Sequence, residues 1–337
     1  MEISENSYVR FYECCQPNLG ANRGLIHDFQ RGQLFFTSKE IIELIIESTN
    51  KKWGEILEEY KEQQTILKKQ INYLLNNELI FFTNNPQNFG QIDLKRERPN
   101  LLEFVFLYID TLDSNKKEFL KNIHKSGANN LVLLAEKIDS KILLEVIKIL
   151  SHSKIKVIEI ISKYNKKSTA EIKDIIEENT RIRRVIFYEA PQELESTSEK
   201  IYFWKNNLNT GLAKGIDSVQ DFAVNLDSYC ESHSFNLFYY KKIFIEDSGE
   251  VFKFYGDNSS LGNIYDQDIN NIVKNNHDLK KFWEINKEMI DECSQCEFRY
   301  VCPDDRIPIK SKEHEMFYHQ TKCKYNPKTN HWNDIKN

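Results

Sequence analysis

The middle of the chain alternates between apolar runs and amphipathic stretches. The apolar runs are rich in β-branched residues: Leu101–Ile109, Asn130–Glu136, Ile155–Ser162 and Arg184–Tyr188. The stretches between them have a helical period and begin at or near a serine that can act as an N-cap: Ser114–Lys125, Ser140–Ser151 and Ser168–Asn179. Apolar strands that alternate with helices are typical of βαβ units around a parallel sheet. With Lys200–Trp204 as a further strand, the pattern predicts an α/β section over residues 100–215, an open or partial (βα) barrel.

The N-terminal section, residues 1–95, mixes strands with helices. Its β-prone runs predict four strands: Tyr8–Cys15, Gly24–Phe29, Gln33–Thr37 and Leu79–Thr83. The second and third of these flank Arg31-Gly32, which predicts a hairpin. Three amphipathic stretches predict helices: Lys39–Thr49 capped by Ser38, Trp53–Tyr60 and Thr65–Asn76. Strands, helices and a final strand in this order predict a small winged-helix-like module.

The third section, residues 216–337, loses the strand–helix period. Asn236–Ile245 and Glu250–Tyr255 flank Asp247-Ser248-Gly249, which predicts a hairpin. Asp268–Asn275 has a helical pattern, and a cysteine-rich segment begins at Phe282. We therefore expect a separate C-terminal domain.

Composition narrows the class of protein. The 337 residues are 40% hydrophobic and carry a net charge of −5, which argues against a general nucleic-acid binder. The N-terminus has no apolar signal core, and no run of apolar residues is long enough to span a membrane. We expect a cytoplasmic protein, in which the seven cysteines are thiols or metal ligands and not disulfides.

Four of the seven cysteines lie in the last 45 residues, in the pattern Cys293-x2-Cys296-x5-Cys302-x20-Cys323. A C-x2-C pair lets two thiolates converge on one metal from a tight turn. The third and fourth cysteines complete a four-thiolate set, which suits structural zinc or a [4Fe–4S] cluster. The softness of the thiolate ligands does not distinguish zinc from an iron–sulfur cluster, since both bind sulfur well.

Other metal-binding residue types are weaker candidates. His314, His319 and His331 are near enough in sequence to replace one thiolate. Cys14, Cys15 and Cys230 stand apart and are interpreted as ordinary buried or half-buried thiols. Adjacent strand residues point to opposite faces, so Cys14 and Cys15 are not expected to share a metal.

Two stretches that contain these cysteines resemble a known family. Cys293–Arg306, followed by Cys323–Pro327 and Trp332, looks like a SPASM domain. More narrowly, it resembles the SPASM-domain peptide maturase of the grasp-with-spasm systems, which act with an ATP-grasp ligase and a short precursor peptide. Phe282–Lys287 and, near the N-terminus, Gly20–Arg31 fit the same family. The resemblance thus touches both ends of the chain.

The resemblance implies a layout and a cofactor. SPASM domains usually extend radical S-adenosylmethionine enzymes, which have a partial (βα) barrel, and the four C-terminal cysteines match the ligands of one auxiliary [4Fe–4S] cluster. The next cysteine of the family pattern falls at Arg306, so a second auxiliary cluster is not expected. The radical enzymes also need C-x3-C-x2-C after the first barrel strand, and residues 100–215 contain no cysteine. The sequence therefore indicates a protein that does not run radical chemistry itself.

The resemblance also implies a place for the peptide. The N-terminal section is similar to the winged-helix module with which peptide maturases hold a leader peptide by strand addition to an exposed edge. Gly24–Phe29 and Leu79–Thr83 are the candidate edges, with Ile26, Asp28 and Arg31 as peptide-binding residues.

Charged residues supply the remaining candidates. Arg299, Asp304 and Arg306 lie among the cysteines, together with Glu297, and arginines there can donate hydrogen bonds to thiolates. Exposed ion pairs are the alternative for them. At the ends of predicted barrel strands, Asp110, Glu136 and Glu189 occupy the positions at which barrels bind ligands.

Three functions follow, in this order of preference. The first is an accessory protein that binds a ribosomally made precursor peptide and presents it to an ATP-grasp ligase. The second is a redox enzyme that modifies the peptide at an auxiliary [4Fe–4S] cluster. The third is a zinc-stabilised structural or regulatory protein.

Overall fold

A computed structural model describes residues 3–95, 97–191, 198–212 and 215–333. The helices, in chain order, are α1 (Lys39–Glu47), α2 (Trp53–Glu59), α3 (Gln64–Asn76), α4 (Ser114–Asn122), α5 (Ser140–Ile149), α6 (Lys166–Glu178), α7 (Leu208–Gly211), α8 (Leu226–Ser232), α9 (Ile269–Asn275), α10 (His277–Trp283) and α11 (Asp291–Ser294). The strands are β1 (Tyr8–Phe11), β2 (Cys15–Leu19), β3 (Gly24–Asp28), β4 (Gln33–Thr37), β5 (Ile80–Thr83), β6 (Phe104–Tyr108), β7 (Asn130–Ala135), β8 (Val157–Lys163), β9 (Ile182–Tyr188), β10 (Ile201–Phe203), β11 (Lys242–Ile245), β12 (Glu250–Phe252), β13 (Gly262–Asn263), β14 (Pro308–Lys310), β15 (Phe317–His319), β16 (Tyr325–Asn326) and β17 (His331–Trp332).

The chain divides into two compact units that are discontinuous in sequence. Unit 1 comprises Met1–Glu97, Gly215–Leu237 and Ile285–Asn337, and unit 2 comprises Arg98–Lys214 and Phe238–Glu284. The division differs from the three consecutive sections expected from the sequence. The difference arises because residues 238–284, which lack the strand–helix period, return to the large sheet.

In unit 1, the predicted hairpin is confirmed as β3 and β4, which pair antiparallel with Asp28 opposite Gln33. Gly32 in the connecting turn has a φ of 65°, a conformation that glycine adopts without a steric penalty. Strand β2 pairs with the other side of β3. Strand β3 is therefore the middle strand, and the expectation that Gly24–Phe29 offers a free edge is wrong.

The predicted strand Tyr8–Cys15 is two strands in two different sheets. Strand β1 pairs with β5, whereas β2 belongs to the sheet of β3 and β4. A turn separates them, in which the Cys15 N–H donates to the Tyr12 carbonyl at 2.8 Å. Apolar content continues through this turn, which is why the sequence pattern missed the break.

The predicted helices of unit 1 are confirmed as α1, α2 and α3. The Ser38 hydroxyl accepts the backbone N–H of Ile41, as expected of an N-cap. Ile41, Ile42 and Ile45 lie on one side of α1 and are almost completely buried in the core that the three helices share with β1 and β5. Burial of this apolar stripe holds the helices together.

Unit 2 is built on one eight-stranded sheet in the order β10-β9-β8-β7-β6-β11-β12-β13. The four predicted strands of the repeat, and β10 after them, pair parallel to their neighbours. The prediction of a parallel α/β section is thus confirmed. Strand β11 pairs parallel with β6, and β12 returns antiparallel after Gly249. The predicted hairpin around Gly249 therefore exists, but it extends this sheet and is not part of a C-terminal domain.

The N-caps of α4, α5 and α6 lie one to three residues before the serines expected to cap these helices. Asp113, Asp139 and Asn165 are the N-caps of α4, α5 and α6, and their side chains accept backbone N–H groups of the first turn. Ser114 and Ser140 are the first residues inside their helices. A carboxylate also interacts favourably with the positive end of the helix dipole.

Asp139→Ala is expected to lower the free energy of unfolding by about 1 kcal/mol, because its carboxylate accepts from the N–H groups of Lys141 and Ile142. Ser140→Ala is the matched control, with an expected effect within about 0.5 kcal/mol. Urea denaturation followed by circular dichroism measures both. Equal losses of unfolding free energy in the two variants would contradict Asp139 as the N-cap of α5.

No helix within the described ranges combines the length and the apolarity that crossing a bilayer requires.

Candidate metal centre

Short turns carry three of the four C-terminal cysteines. Cys293 lies in α11, and the N–H of Cys296 donates to its carbonyl at 3.0 Å. Further turn bonds run from Arg299 N–H to the Cys296 carbonyl and from Val301 N–H to the Phe298 carbonyl. These bonds fold the backbone back on itself between the first and third cysteine.

The four thiols are electrostatic neighbours. Burial raises the pKa of the Cys296 thiol, and Glu297, Cys302 and Cys293 raise it further. Burial likewise raises the pKa of Cys302, opposed by Lys287 and reinforced by Asp304, Cys293 and Cys323. The charges of Cys293 and Cys323 thus act on Cys302, and a centre shared by all four cysteines stays a prediction.

A buried ion cluster adjoins these thiols. Asp304 is 1% exposed, and Lys287 Nζ lies 2.7 Å from its Oδ2. Arg306 donates from Nε to Oδ1 and from Nη2 to Oδ2, each at 2.8 Å. Burial alone would raise the pKa of the Asp304 carboxyl, but Lys287 and Arg306 overcome it and hold that pKa well below its usual range.

The buried ion cluster contains two cations, Lys287 and Arg306, and one carboxylate, Asp304. Burial opposes the charge on Lys287, whereas Asp304 and the thiols of Cys293 and Cys302 favour it, and its pKa rises above the usual value. The surplus positive charge therefore lies beside the thiols. Four thiolates around zinc or around a [4Fe–4S] cluster carry net negative charge, so the donor set and its surroundings fit such a centre.

His319 is the histidine nearest the thiols. Its Nε2 lies 3.3 Å from Asp304 Oδ2, and the ligand atoms of Cys293, Asp304 and His319 lie within 4.8 Å of one another. Burial and the charge of Lys287 lower the pKa of His319 to about 4. Because Lys287 and Arg306 already occupy the carboxylate, this trio is a poor place for a separate cation. His314 and His331 are exposed.

Arg299 connects the cysteine loop to β2. Its Nη1 donates to the carbonyls of Leu19, at 2.7 Å, and Cys296, at 3.1 Å. Its guanidinium also lies over the Tyr300 ring, 4.5 Å from the centroid. Arg299 therefore holds the backbone of one predicted ligand, while Arg306 contacts Asp304.

The N-terminal and C-terminal stretches that carry the family resemblance meet in unit 1. Arg23 Nε donates to Glu297 Oε1 at 2.6 Å, and Asn18 Nδ2 donates to the Glu297 carbonyl at 2.7 Å. The Ala21 N–H donates to the Gln295 carbonyl at 2.7 Å. Sequence reasoning missed these partners and Lys287. Arg23, Ala21 and Lys287 lie in stretches that resembled the family, which was the signal available, whereas Asn18 lies outside those stretches.

A cleft of about 410 Å³ opens beside Cys323. Its lining includes Tyr325, Lys322, Lys328 and Asp291. Because Cys323 lines the cleft, a small molecule in the cleft can contact this cysteine.

The predicted peptide-binding residues have structural contacts. Ile26 is completely buried in β3. Asp28 Oδ1 accepts the N–H groups of Gln30 and Arg31, and Arg31 also pairs with Glu78. These contacts stabilise the turn between β3 and β4.

Cys14 is half-buried and Cys15 is buried, as expected, but their side chains do not point to opposite faces, since the two Sγ atoms lie 3.9 Å apart. Cys14 lies in the turn before β2, so the alternation of side chains along a strand does not apply to the pair. Cys230 is buried in α8, as expected.

Two of the three predicted carboxylates at the strand ends of unit 2 form hydrogen bonds or ion pairs. Asp110 Oδ1 accepts the Glu136 N–H at 2.9 Å, and Glu189 pairs with Lys163 at 2.7 Å. Burial and Glu136 raise the pKa of Tyr188, whose hydroxyl is buried at this end of the sheet.

Comparison with solved structures found crystal structures of Streptococcus suis SuiB. The form bound to S-adenosylmethionine is 13% identical, with 93% of this chain and 99% of that chain covered and a TM-score of 0.34. The form bound to precursor peptide SuiA is 13% identical, with 89% and 94% covered and a TM-score of 0.33. No protein-family model and no curated protein matches the chain.

Proposed function

We propose that this chain is an accessory protein in the maturation of a ribosomally made peptide. It binds the precursor peptide and presents it to an ATP-grasp ligase, and its C-terminal cysteines hold a [4Fe–4S] cluster. The resemblance of Cys293–Arg306 and Gly20–Arg31 to grasp-with-spasm maturases supports the role. The observation that carries peptide binding is the edge of β4.

Strand β4 is the last strand of its sheet in the described ranges, with β3 on its other side. A cleft of about 450 Å³ lies along it, lined by Leu34 and Phe36 of the strand and by Val219, Phe222 and Val224. An extended peptide added to this edge gains main-chain hydrogen bonds, and its alternate side chains enter the apolar cleft. The winged-helix-like module is thus proposed to bind the leader through β4, in place of the central β3.

The proposed cluster ligands are Cys293, Cys296, Cys302 and Cys323. Both zinc and a [4Fe–4S] cluster accept four thiolates, and the resemblance of Cys293–Arg306 to a SPASM domain favours the cluster. When bound, a [4Fe–4S] cluster supplies one-electron transfer and cross-links the loops that carry its ligands.

The missing radical motif supports an accessory role. Residues 100–215 contain no cysteine, so the cluster that activates S-adenosylmethionine has no thiolate ligands there. Unit 2 is then proposed to be a barrel remnant that serves as a scaffold.

The cleft beside Cys323 favours one alternative, a redox enzyme that modifies the peptide at the cluster. Anaerobic electron paramagnetic resonance, with and without precursor peptide, separates the two. A cluster that is reduced, as its signal shows, and is then reoxidised while the peptide is modified would support the redox enzyme. That result would contradict the accessory role.

Val219→Glu tests the peptide surface, because it places a charge in the apolar cleft at a side chain that is already 39% exposed. Fluorescence anisotropy with a labelled synthetic peptide encoded beside this chain's gene is expected to show at least tenfold weaker binding, about 1.4 kcal/mol. Tyr202→Glu, at an exposed position on β10, is the control and should leave binding unchanged. Equal affinities for the two variants, or no binding by the unmodified chain, would contradict the proposed surface.

A further inference from the structure

A second group of metal-ligating side chains lies in the N-terminal sheet. Cys15 begins β2, and its register partner is Asp28, the last residue of β3. Cys14 precedes it in the turn, and the two Sγ atoms are 3.9 Å apart. One ligand atom from each of Cys14, Cys15 and Asp28 lies within 4.8 Å of the others.

We propose that Cys14, Cys15 and Asp28 bind a divalent cation of the zinc class, at a site separate from the four C-terminal cysteines. Two thiolates about 2.3 Å from zinc at a tetrahedral angle are about 3.8 Å apart, close to the spacing of this pair. Two thiolates with one carboxylate form a donor set that suits zinc better than the oxygen-seeking cations.

The carboxylate of Asp28 is held in place for this role. Its Oδ1 accepts the N–H groups of Gln30 and Arg31, each at 3.0 Å, and Arg31 Nη1 lies 3.1 Å from Oδ2. Such outer contacts orient a ligand toward its metal. Two thiolates and one carboxylate carry three negative charges, which a divalent cation and the Arg31 guanidinium neutralise together.

Gln30 offers a fourth ligand atom close to Cys14. The Gln30 amide oxygen lies 3.8 Å from Cys14 Sγ, in the same turn that follows β3. As a fourth ligand of the proposed site, it would give a four-coordinate set with the two thiolates and Asp28. Because zinc needs deprotonated thiols, binding releases the thiol protons and frees this oxygen from the Cys14 S–H.

The bound ion would cross-link the turn before β2 to the end of β3. Both strands belong to the sheet that ends in β4, the edge proposed to bind peptide. The metal site itself rests on the side chains of residues 14, 15 and 28 and does not depend on that role.

Metal analysis of the anaerobically purified full chain, equilibrated with zinc and passed through a desalting column, tests the proposal. Cys14→Ser, at a partly exposed position, should lose one zinc per chain and leave the iron content unchanged. Cys15→Ser should do the same, whereas Cys230→Ser should keep the zinc. Unaltered zinc in both Cys14→Ser and Cys15→Ser, or an equal loss in Cys230→Ser, overturns the site.

Cadmium-113 nuclear magnetic resonance of the unmodified chain gives a test that needs no variant. The expected result is a resonance typical of two sulfur ligands, distinct from any four-sulfur resonance. A spectrum with four-sulfur cadmium only, with no bound cadmium, or a Cys14–Cys15 disulfide in the freshly purified protein would overturn the proposal. Loss of the two-sulfur resonance does not decide whether the C-terminal cysteines hold iron, so the two sites fail separately.

Discussion

Replacing Cys302 with serine is expected to reduce bound iron at least tenfold. The charges of Cys293 and Cys323 act on Cys302, which is the third of the four proposed ligands. Serine is a poor ligand for iron–sulfur clusters, and a site with three thiolates loses both affinity and protection from solvent. Iron and acid-labile sulfide, assayed after anaerobic purification, measure the effect.

The matched control is Cys230→Ser, since Cys230 is equally a reduced cysteine but lies buried in α8. It should retain the iron content of the unmodified chain. Comparable iron in Cys302→Ser and Cys230→Ser would mean that residue 302 is not a ligand. Circular dichroism of each variant separates loss of the cluster from loss of the fold.

Asp304→Asn is expected to lower the free energy of unfolding by about 3–5 kcal/mol, the usual cost of breaking a buried ion pair. The change leaves Lys287 and Arg306 buried without their carboxylate, and Lys287 is 2% exposed. Urea denaturation of the unit 1 transition, followed by tryptophan fluorescence, measures the loss.

Asp291→Asn is the control for this variant, because Asp291 is an exposed carboxylate in the same segment. Its expected effect is within about 0.5 kcal/mol. The double variant Asp304→Asn/Lys287→Met should recover part of the loss, since it removes one orphaned cation. Similar stabilities of Asp304→Asn and Asp291→Asn would show that the ion cluster is not a source of stability.

Local patterns predicted the elements of this protein well. The parallel strands β6 to β9 follow from four apolar runs separated by helical periods, since a strand that is buried on both faces is apolar throughout. The hairpins at Gly32 and Gly249 follow from turn residues that tolerate positive φ. Both kinds of signal are contained in a few consecutive residues.

Pairing between distant segments was not predictable in this way. Strand β11 joins β6 across more than a hundred residues, and β5 pairs with β1 instead of joining the hairpin sheet. An apolar run does not indicate which strand it pairs with. The hairpin of β11 and β12 was therefore predicted in the C-terminal section, whereas it pairs with the sheet of unit 2. The N-caps were missed for a simpler reason: aspartate and asparagine preceded each serine and cap at least as well.

The candidate ligands come from sequence spacing and stay a prediction, and Arg299, Asp304 and Arg306 were named from their places among the cysteines. C-x2-C spacing favours Cys293 and Cys296, because thiols on one tight turn can converge on a metal. Lys287 had no such signal, since a lysine is buried only when tertiary structure supplies a partner such as Asp304. The closeness of the Cys14 and Cys15 thiols was not predictable, because the apolar pattern continues through the turn between β1 and β2.

Mössbauer spectroscopy of the full chain, produced with iron-57 and purified anaerobically, tests most directly whether four thiolates share one iron–sulfur centre. The account predicts about four irons per chain in the spectrum of a single cubane, with all irons bound by sulfur. An iron-free protein whose cysteines 293, 296, 302 and 323 react independently with an alkylating reagent would contradict it.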